Sequence, residues 1–454
     1  MTEAHVMKHA VVIGAGMAGL TAARALAAHF EQVTVLERDH LADAAAQRAG
    51  TPQALHVHGL LAGGLNALAE LFPGFEDDLV RAGAVPLRGG LDIRVERPGF
   101  DPFPMRDLGV LTYAVSRPVI EFIVRQRVLQ QANISLQTES RVTELVAGAD
   151  GASVVGLRCE GANGQLRMLP ADLVVDASGR GAPTLKLLQT LGYASPETTT
   201  IGVDIGYATA TYEIPHDAGR GWLGVMTFPK APQSSRGALM LPQEDGCWMV
   251  SLGGRGADKP PGDEAGFLDY ARQLRTPTIY NAIRGARRVG AISRYVFPQS
   301  LRRHFERVQN FPRGLLPFGD AVCVFNPIYG QGMSVAAQEA VLLRCVLARS
   351  KADNDPLAAL GTLAPAFFAE LLPRLETPWA MAAIPDFIFP DTKGQRPPDL
   401  ERTLKVAFAM LRLAARRPDV HKLVLEVQHL LKPRSAYRRP LLMARVLMEI
   451  MRGP

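Results

Sequence analysis

The feature that most constrains this chain is a run of six residues near its start. Gly14-Ala-Gly16-Met-Ala-Gly19 follows an apolar strand read over 9–13 and opens an alanine-rich helix read to about His29, and a second strand over 32–36 ends at Glu37. In such a β-α-β unit Gly14 makes the tight turn and Gly16 lets the backbone approach a pyrophosphate at the positive helix end. Gly19 lets helix and strand pack closely. Glu37, 23 residues after Gly14, can accept from ribose hydroxyls. The alternative is a glycine turn in a nucleotide-free unit. The complete context of strand, helix, second strand and acid argues against it, but does not say which dinucleotide is held.

A second constellation lies almost 300 residues downstream. Leu315-Leu-Pro-Phe-Gly319-Asp320 reads as a strand ending in a carboxylate, and Asn326-Pro327-Ile-Tyr-Gly330-Gln-Gly332-Met333 reads as a loop opening a strong helix over 333–348. A fold that returns to the cofactor so late cradles something long, which favours FAD over NAD. Asp320 would bond a ribityl hydroxyl, and Gly330 to Met333 would present backbone N–H groups and the helix dipole to the flavin's N1/C2 carbonyl edge. The alternative for Asp320 is an ordinary turn acid.

At 454 residues with 47% apolar and 21% charged side chains, the chain can bury a sizeable core and is expected to be soluble. Four scattered cysteines without a CxxC pair argue against a disulfide framework and a zinc site. No run reaches the ~18 apolar residues of a membrane span, and the first apolar run lacks the basic flank of a signal peptide, so the expected location is cytoplasmic. The formal charge is +6, but residues 401–454 hold twelve Lys/Arg against four acids, leaving the other 400 at −2, which argues against a uniformly basic nucleic-acid surface.

Along the chain the pattern predicts a helix over 60–71, a helix over 118–131 with Pro118 in its first turn, and four short strands between 134 and 176. Alternating runs at 201–214, 222–228, 237–241 and 247–252 predict an antiparallel sheet with one covered face, and the periodicity from about Asp355 onward is helical. The expected fold class is α/β: a Rossmann-like, discontinuous cofactor domain (1–75, 105–190 and 300–350), an inserted β-sheet substrate domain (76–104 and 191–299) and a helical C-terminal region (351–454).

These motifs, together with Asp172-Leu-Val-Val-Asp176-Ala-Ser-Gly179-Arg-Gly, resemble the single-component flavin monooxygenases of the p-hydroxybenzoate hydroxylase fold. The chain is most similar to their bacterial branch of polyene epoxidases in polyether biosynthesis, and more distantly to squalene epoxidase. The resemblance covers most of the chain, including Thr51-Pro-Gln-Ala-Leu-His-Val-His58, Ser116-Arg117-Pro118 and the segment around Trp248. The Asp-Gly pair of many aromatic hydroxylases is replaced here by Ala177-Ser178-Gly179, which leaves the docking of the nicotinamide open.

What the resemblance implies is an FAD-dependent monooxygenase, reduced by NADPH or NADH at a transient site, that epoxidises or hydroxylates an apolar secondary metabolite through a C4a-hydroperoxyflavin. No second dinucleotide fingerprint occurs, and no side chain is expected to act as nucleophile or base. The implied cofactor positions are Gly14, Gly16, Ala18, Gly19, Glu37, Arg38, Gln53, Arg117, Asp176, Gly179, Gly319, Asp320, Pro327, Gly330, Gly332 and Met333, with the loop from Pro52 to His58 along the flavin. Met226, Phe228, Trp248, Phe297 and Phe325 are candidates to line the substrate pocket, with plain core packing as the alternative for each. His56 and His58 share a face if their loop is extended, but no further ligating cluster supports a metal. Rival readings are a flavin-dependent reductase or dehydrogenase of an isoprenoid-like substrate, a non-catalytic FAD-binding protein, and a flavin-dependent halogenase, which the missing Trp-x-Trp-x-Ile-Pro stretch argues against because Trp222 and Trp248 stand singly. The basic helical stretches 404–413 and 423–431 could meet an anionic membrane or an acyl carrier protein, or could simply be the solvated face of helices packed on the body.

Overall fold

The computed structural model describes residues 7–214, 221–350 and 356–453. In β1 (Met7–Ile13), Ala10, Val11 and Val12 have no exposed surface, as a strand covered on both faces by helices and loops requires. It sits at the middle of a five-stranded parallel sheet ordered Leu315–Pro317, Leu173–Asp176, β1, β2 (Phe30–Leu36), Ile134–Gln137. Ile13, Asp176 and Pro317 end their strands in one register, and each is followed by a glycine-containing turn. The crevice outside the carboxyl ends of parallel strands is where such sheets bind ligands. α1 (Met17–Leu26) packs on the helix Gly332–Ser350, so both helix starts reach this edge.

The second layer is a seven-stranded sheet ordered Cys323–Val324, Arg287–Arg303, Thr198–Glu213, Cys247–Arg255, Gly237–Pro242, Gly224–Thr227, Ile93–Glu96, antiparallel except for its last pair. Its two faces differ. Ala208, Ala210, Tyr212, Trp248, Val250 and Leu252 bury themselves against the helices Glu264–Arg272 and Thr278–Ile283. On the other face Tyr207 bonds Asn326, Thr209 bonds His56, and the Ser251 hydroxyl accepts from the Val57 N–H, so this face looks toward the cofactor loops.

Two expectations need correction. Five strands, not four, occupy 134–176, because the Gly161–Gly164 turn folds 154–160 and 166–170 into a separate hairpin. The strand read over 222–228 is shorter, Gly224–Thr227. In the C-terminal part, helices Leu400–Arg416, Pro418–Gln428 and Pro440–Met451 form a core of their own with Phe103, leaving Phe408, Leu441, Leu447 and Met451 exposed. No helix among the described residues is long and apolar enough to cross a membrane.

Candidate cofactor site

The glycines of the first motif divide by what lies in front of them. A Cβ on Gly19 would overlap the Gly14 carbonyl oxygen and stand 2.9 Å from its carbon, so this glycine is required by packing. Gly14 has φ +97°, and a Cβ there would lie 2.7 Å from the Ala177 carbonyl, which ties the first turn to the second. Gly16, by contrast, caps α1 with only an Arg48 nitrogen nearby, at 3.7 Å. Gly179 and Gly332 have nothing in front of them within 4 Å. Gly319 (φ +61°) rests on Ala18. Gly330 adopts φ +64° after the short turn Pro327–Tyr329. Three turns from distant parts of the chain thus meet at the carboxyl edge of the sheet, with open space in front of Gly179 and Gly332.

Charge is distributed along that space. The Glu37 carboxylate is buried and accepts from the N–H of Ala15 at 2.8 Å and of Asp39 at 3.0 Å. Arg48 pairs with Glu37 at 3.1 Å, Asp39 at 2.9 Å and Glu121 at 3.7 Å, and Arg117 pairs with Glu121 at 2.8 Å. Two largely buried guanidinium groups therefore lie close to the helix start where a pyrophosphate would sit. Arg48 was missed by sequence reasoning because it comes from the irregular 38–51 segment, whereas Arg117 was implied by the resemblance and Glu121, its i,i+4 partner, went unnoticed. Arg38 is largely exposed beside Asp39, and Gln53 is half-buried on the turn Pro52–Leu55.

Asp320 touches solvent yet is surrounded by protein, as a group lining a deep cleft must be. Burial pushes its carboxyl up to about 6, against the pull of Arg117 and Arg303. Behind it Glu339 is buried and accepts from the Gly319 N–H at 2.9 Å, and burial raises it to about 8. The 19-residue helix beginning at Gly332 offers first-turn N–H groups without helical acceptors, while Met333 turns its side chain into the core. These donors, the open glycine faces and the two arginines fit the pyrophosphate, ribityl and pyrimidine parts of FAD.

A profile of the FAD dependent oxidoreductases matches residues 9–129. Protein Rv3254 of Mycobacterium tuberculosis is 37% identical over 362 residues, which is 77% of this chain and 75% of that one. The chain therefore belongs to the FAD-dependent oxidoreductases, in the family of Protein Rv3254. Among solved structures, the fold of this oxidoreductase is shared with the flavin-dependent brominase Bmp2 (16% identity, TM-score 0.68, covering 98% of this chain and 100% of that one). It is shared also with p-nitrophenol 4-monooxygenase PnpA of Pseudomonas putida (17% identity, TM-score 0.66, 94% and 99%). FAD is its cofactor.

Some expected contacts fall elsewhere in this oxidoreductase. Asp176 is fully buried and spent on the protein: it accepts from the Ser178 N–H at 3.1 Å, the Thr184 N–H at 3.1 Å and the Thr184 hydroxyl at 2.6 Å. It shapes the turn and does not face the cofactor. Trp248 packs edge-on to Trp222 at 6.0 Å on the far side of the seven-stranded sheet, Phe297 belongs to the core with Ile201 and Phe387, and Phe325 packs near Trp379. Trp248 leaves the pocket set, whereas Phe297, opposite Ile205 and in one cluster with Tyr207, lies on the cofactor-side face. Met226 stays, since the register Met226–Leu239–Ser251–Thr209 puts it on the cofactor side, and Phe228 follows it two residues on. The sequence missed Tyr207, Tyr295 and Thr209, which surround His56 on that side, with its ring 6.0 Å from Tyr207 and 5.8 Å from Tyr295. Burial lowers His56 to about 4 and His58 to about 3, so both rings are neutral, and neither joins a cluster of ligating side chains among the described residues.

A buried polar knot anchors the second flavin loop. Asp386 pairs with Arg255 and accepts from Asn326 Nδ2 at 3.2 Å and from the Tyr329 hydroxyl at 2.9 Å. The Tyr207 hydroxyl donates to Asn326 at 3.1 Å. The loop Asn326–Gly330 is thereby fixed to the seven-stranded sheet and to the helix Pro356–Asp386 at once.

Proposed function

We propose that this chain is an NAD(P)H-driven, FAD-dependent monooxygenase that epoxidises or hydroxylates a largely apolar secondary metabolite, as the polyene epoxidases that its motifs resemble do. The observation that carries the reading is the inner face of the seven-stranded sheet. It sets Tyr207, Tyr295, His56 and Met226 on the side of the flavin loops.

When bound, FAD supplies the oxidising chemistry: two electrons from the nicotinamide and one dioxygen give one oxygen atom to the substrate and one to water. The chain's own groups do the rest. Arg48 and Arg117 hold the pyrophosphate, with Glu37 as ribose acceptor. Asp320 accepts from the ribityl chain, and the first-turn N–H groups of the helix Gly332–Ser350 stabilise negative charge at the pyrimidine edge. The neutral His56, with Nδ1 bonded to the Thr209 hydroxyl at 2.7 Å, adds a polar atom to an otherwise aromatic wall that excludes water. No protein nucleophile takes part.

The same proposal includes a peripheral contact with anionic membranes through Phe408, Leu441 and Leu447 among the arginines of the C-terminal helices, which sedimentation with anionic vesicles checks. The test of the activity is incubation of the FAD-loaded protein with NADPH or NADH, labelled dioxygen and a panel of alkenes and aromatics. Label in product supports the proposal, and nicotinamide oxidation without label in any product refutes it.

A further inference from the structure

Arg97 has no counterion among the described residues. Its guanidinium lies 4.5 Å from the ring centre of Phe228 and 5.3 Å from that of Phe103, and its Nε is buried without an acceptor. Arg48, Arg117 and Arg255 each pair with a carboxylate, but no Asp or Glu pairs with Arg97 among the described residues. The acids adjacent in the chain are taken or turned away: Asp101 pairs with Arg275, and Glu96 points to the opposite face, where it binds Arg94 and the hydroxyls of Thr227, Thr276 and Thr278. Burial alone brings this arginine down to about 10. His421 also meets the Phe103 ring edge-on at 4.9 Å, with its Nδ1 buried and unpartnered and close enough to Arg97 to feel its charge. Arg106, which also faces His421, is spent on the carbonyls of Ala414 and Ala415. A cation and a neutral imidazole thus contact one aromatic ring, each with a hydrogen-bonding atom unused. Burying such groups is costly unless something completes them.

We propose that Arg97 and His421 form the anion subsite of the substrate chamber and accept the carboxylate of an amphipathic acid whose apolar body runs along the sheet toward the flavin. Arg97 follows Val95 by two residues, and Val95 pairs with Met226, so the subsite opens on the cofactor-facing side. From Ile93–Glu96 to the strand holding Thr209 there are four strand steps, about 19 Å at ~4.8 Å each. The ligand class is therefore a long-chain carboxylic acid, not a small aromatic one. This inference rests on the reading of that face as the substrate wall, but not on oxygen transfer.

The experiment compares binding of dodecanoate and dodecanamide to the FAD-loaded protein by calorimetry and thermal shift, without nicotinamide. The expected result is at least tenfold tighter binding of the acid by wild type, a preference lost in Arg97→Met and partly retained in Arg97→Lys. Equal binding of acid and amide by wild type, or an acid preference that survives Arg97→Met, overturns the proposal. If Arg97→Met fails to load flavin, His421→Leu and Arg97→Gln carry the same comparison, and an undiminished preference in both overturns it. Failure of oxygen incorporation in the earlier test leaves this result unaffected, so the two ideas fail separately.

Discussion

Two glycine-to-alanine substitutions separate packing from cofactor clearance. In Gly19→Ala the new methyl meets the Gly14 carbonyl, which is backbone and cannot rotate away, so the turn after β1 must open. Overpacking of this kind costs ~1–3 kcal/mol and lowers both apoprotein stability and FAD binding. In Gly332→Ala nothing in the protein lies within 4 Å of the methyl, and an alanine in a helix is worth up to ~1 kcal/mol over glycine. The apoprotein should therefore melt at the same temperature or slightly higher. If the flavin edge occupies that space, the methyl displaces it, and FAD affinity should fall about 10- to 100-fold, equivalent to ~1.4–2.8 kcal/mol. Melting of the apoprotein and FAD titration on both variants decide the matter. A Gly332→Ala protein that binds FAD like wild type, or a Gly19→Ala protein unchanged in both assays, would refute the reasoning.

Three further outcomes are expected. Because Glu339 is raised from 4.5 to about 8 in the fold, the folded state holds its proton more tightly than the unfolded one. Apoprotein stability should fall by a few kcal/mol as pH rises from about 4.5 through about 8. Glu339→Gln should flatten that slope in urea titrations, and an unchanged slope would contradict the assignment. Arg48→Ala leaves Glu37, Asp39 and Glu121 without their shared cation and should weaken FAD binding by ~1.5–3 kcal/mol, with Arg48→Lys intermediate; titration by flavin fluorescence checks this. Asp386→Ala strips the partner from buried Arg255 and frees the Asn326 loop, for a loss of ~3–5 kcal/mol in chemical denaturation, whereas a loss under 1 kcal/mol would show the knot to be dispensable.

Most of the cofactor cradle was legible in the sequence because its chemistry is local. Gly14, Gly16 and Gly19 sit between a strand and a helix, and Gly319-Asp320 ends another strand, so residue type and neighbours specify the role. The substrate wall was less legible. Alternation along Cys247–Arg255 is plain, but alternation does not say which face meets the cofactor, and Trp248 falls on the other one. The resemblance implied Asp176 as a ligand, yet the Thr184 contacts that occupy it come from the helix Ala182–Thr190, which the pattern did not reveal. Asp386 meets Arg255, and Arg97 meets Phe228 and Phe103, only through tertiary structure, from segments that carry no motif.

The central claim is that turns at residues 14–19, 176–181 and 319–333 fold onto a single flavin. The most direct test is titration of the apoprotein with FAD while the visible flavin band is followed. The account predicts saturation at one FAD per chain with a perturbed band. A chain that stays colourless after dialysis against excess FAD would contradict it.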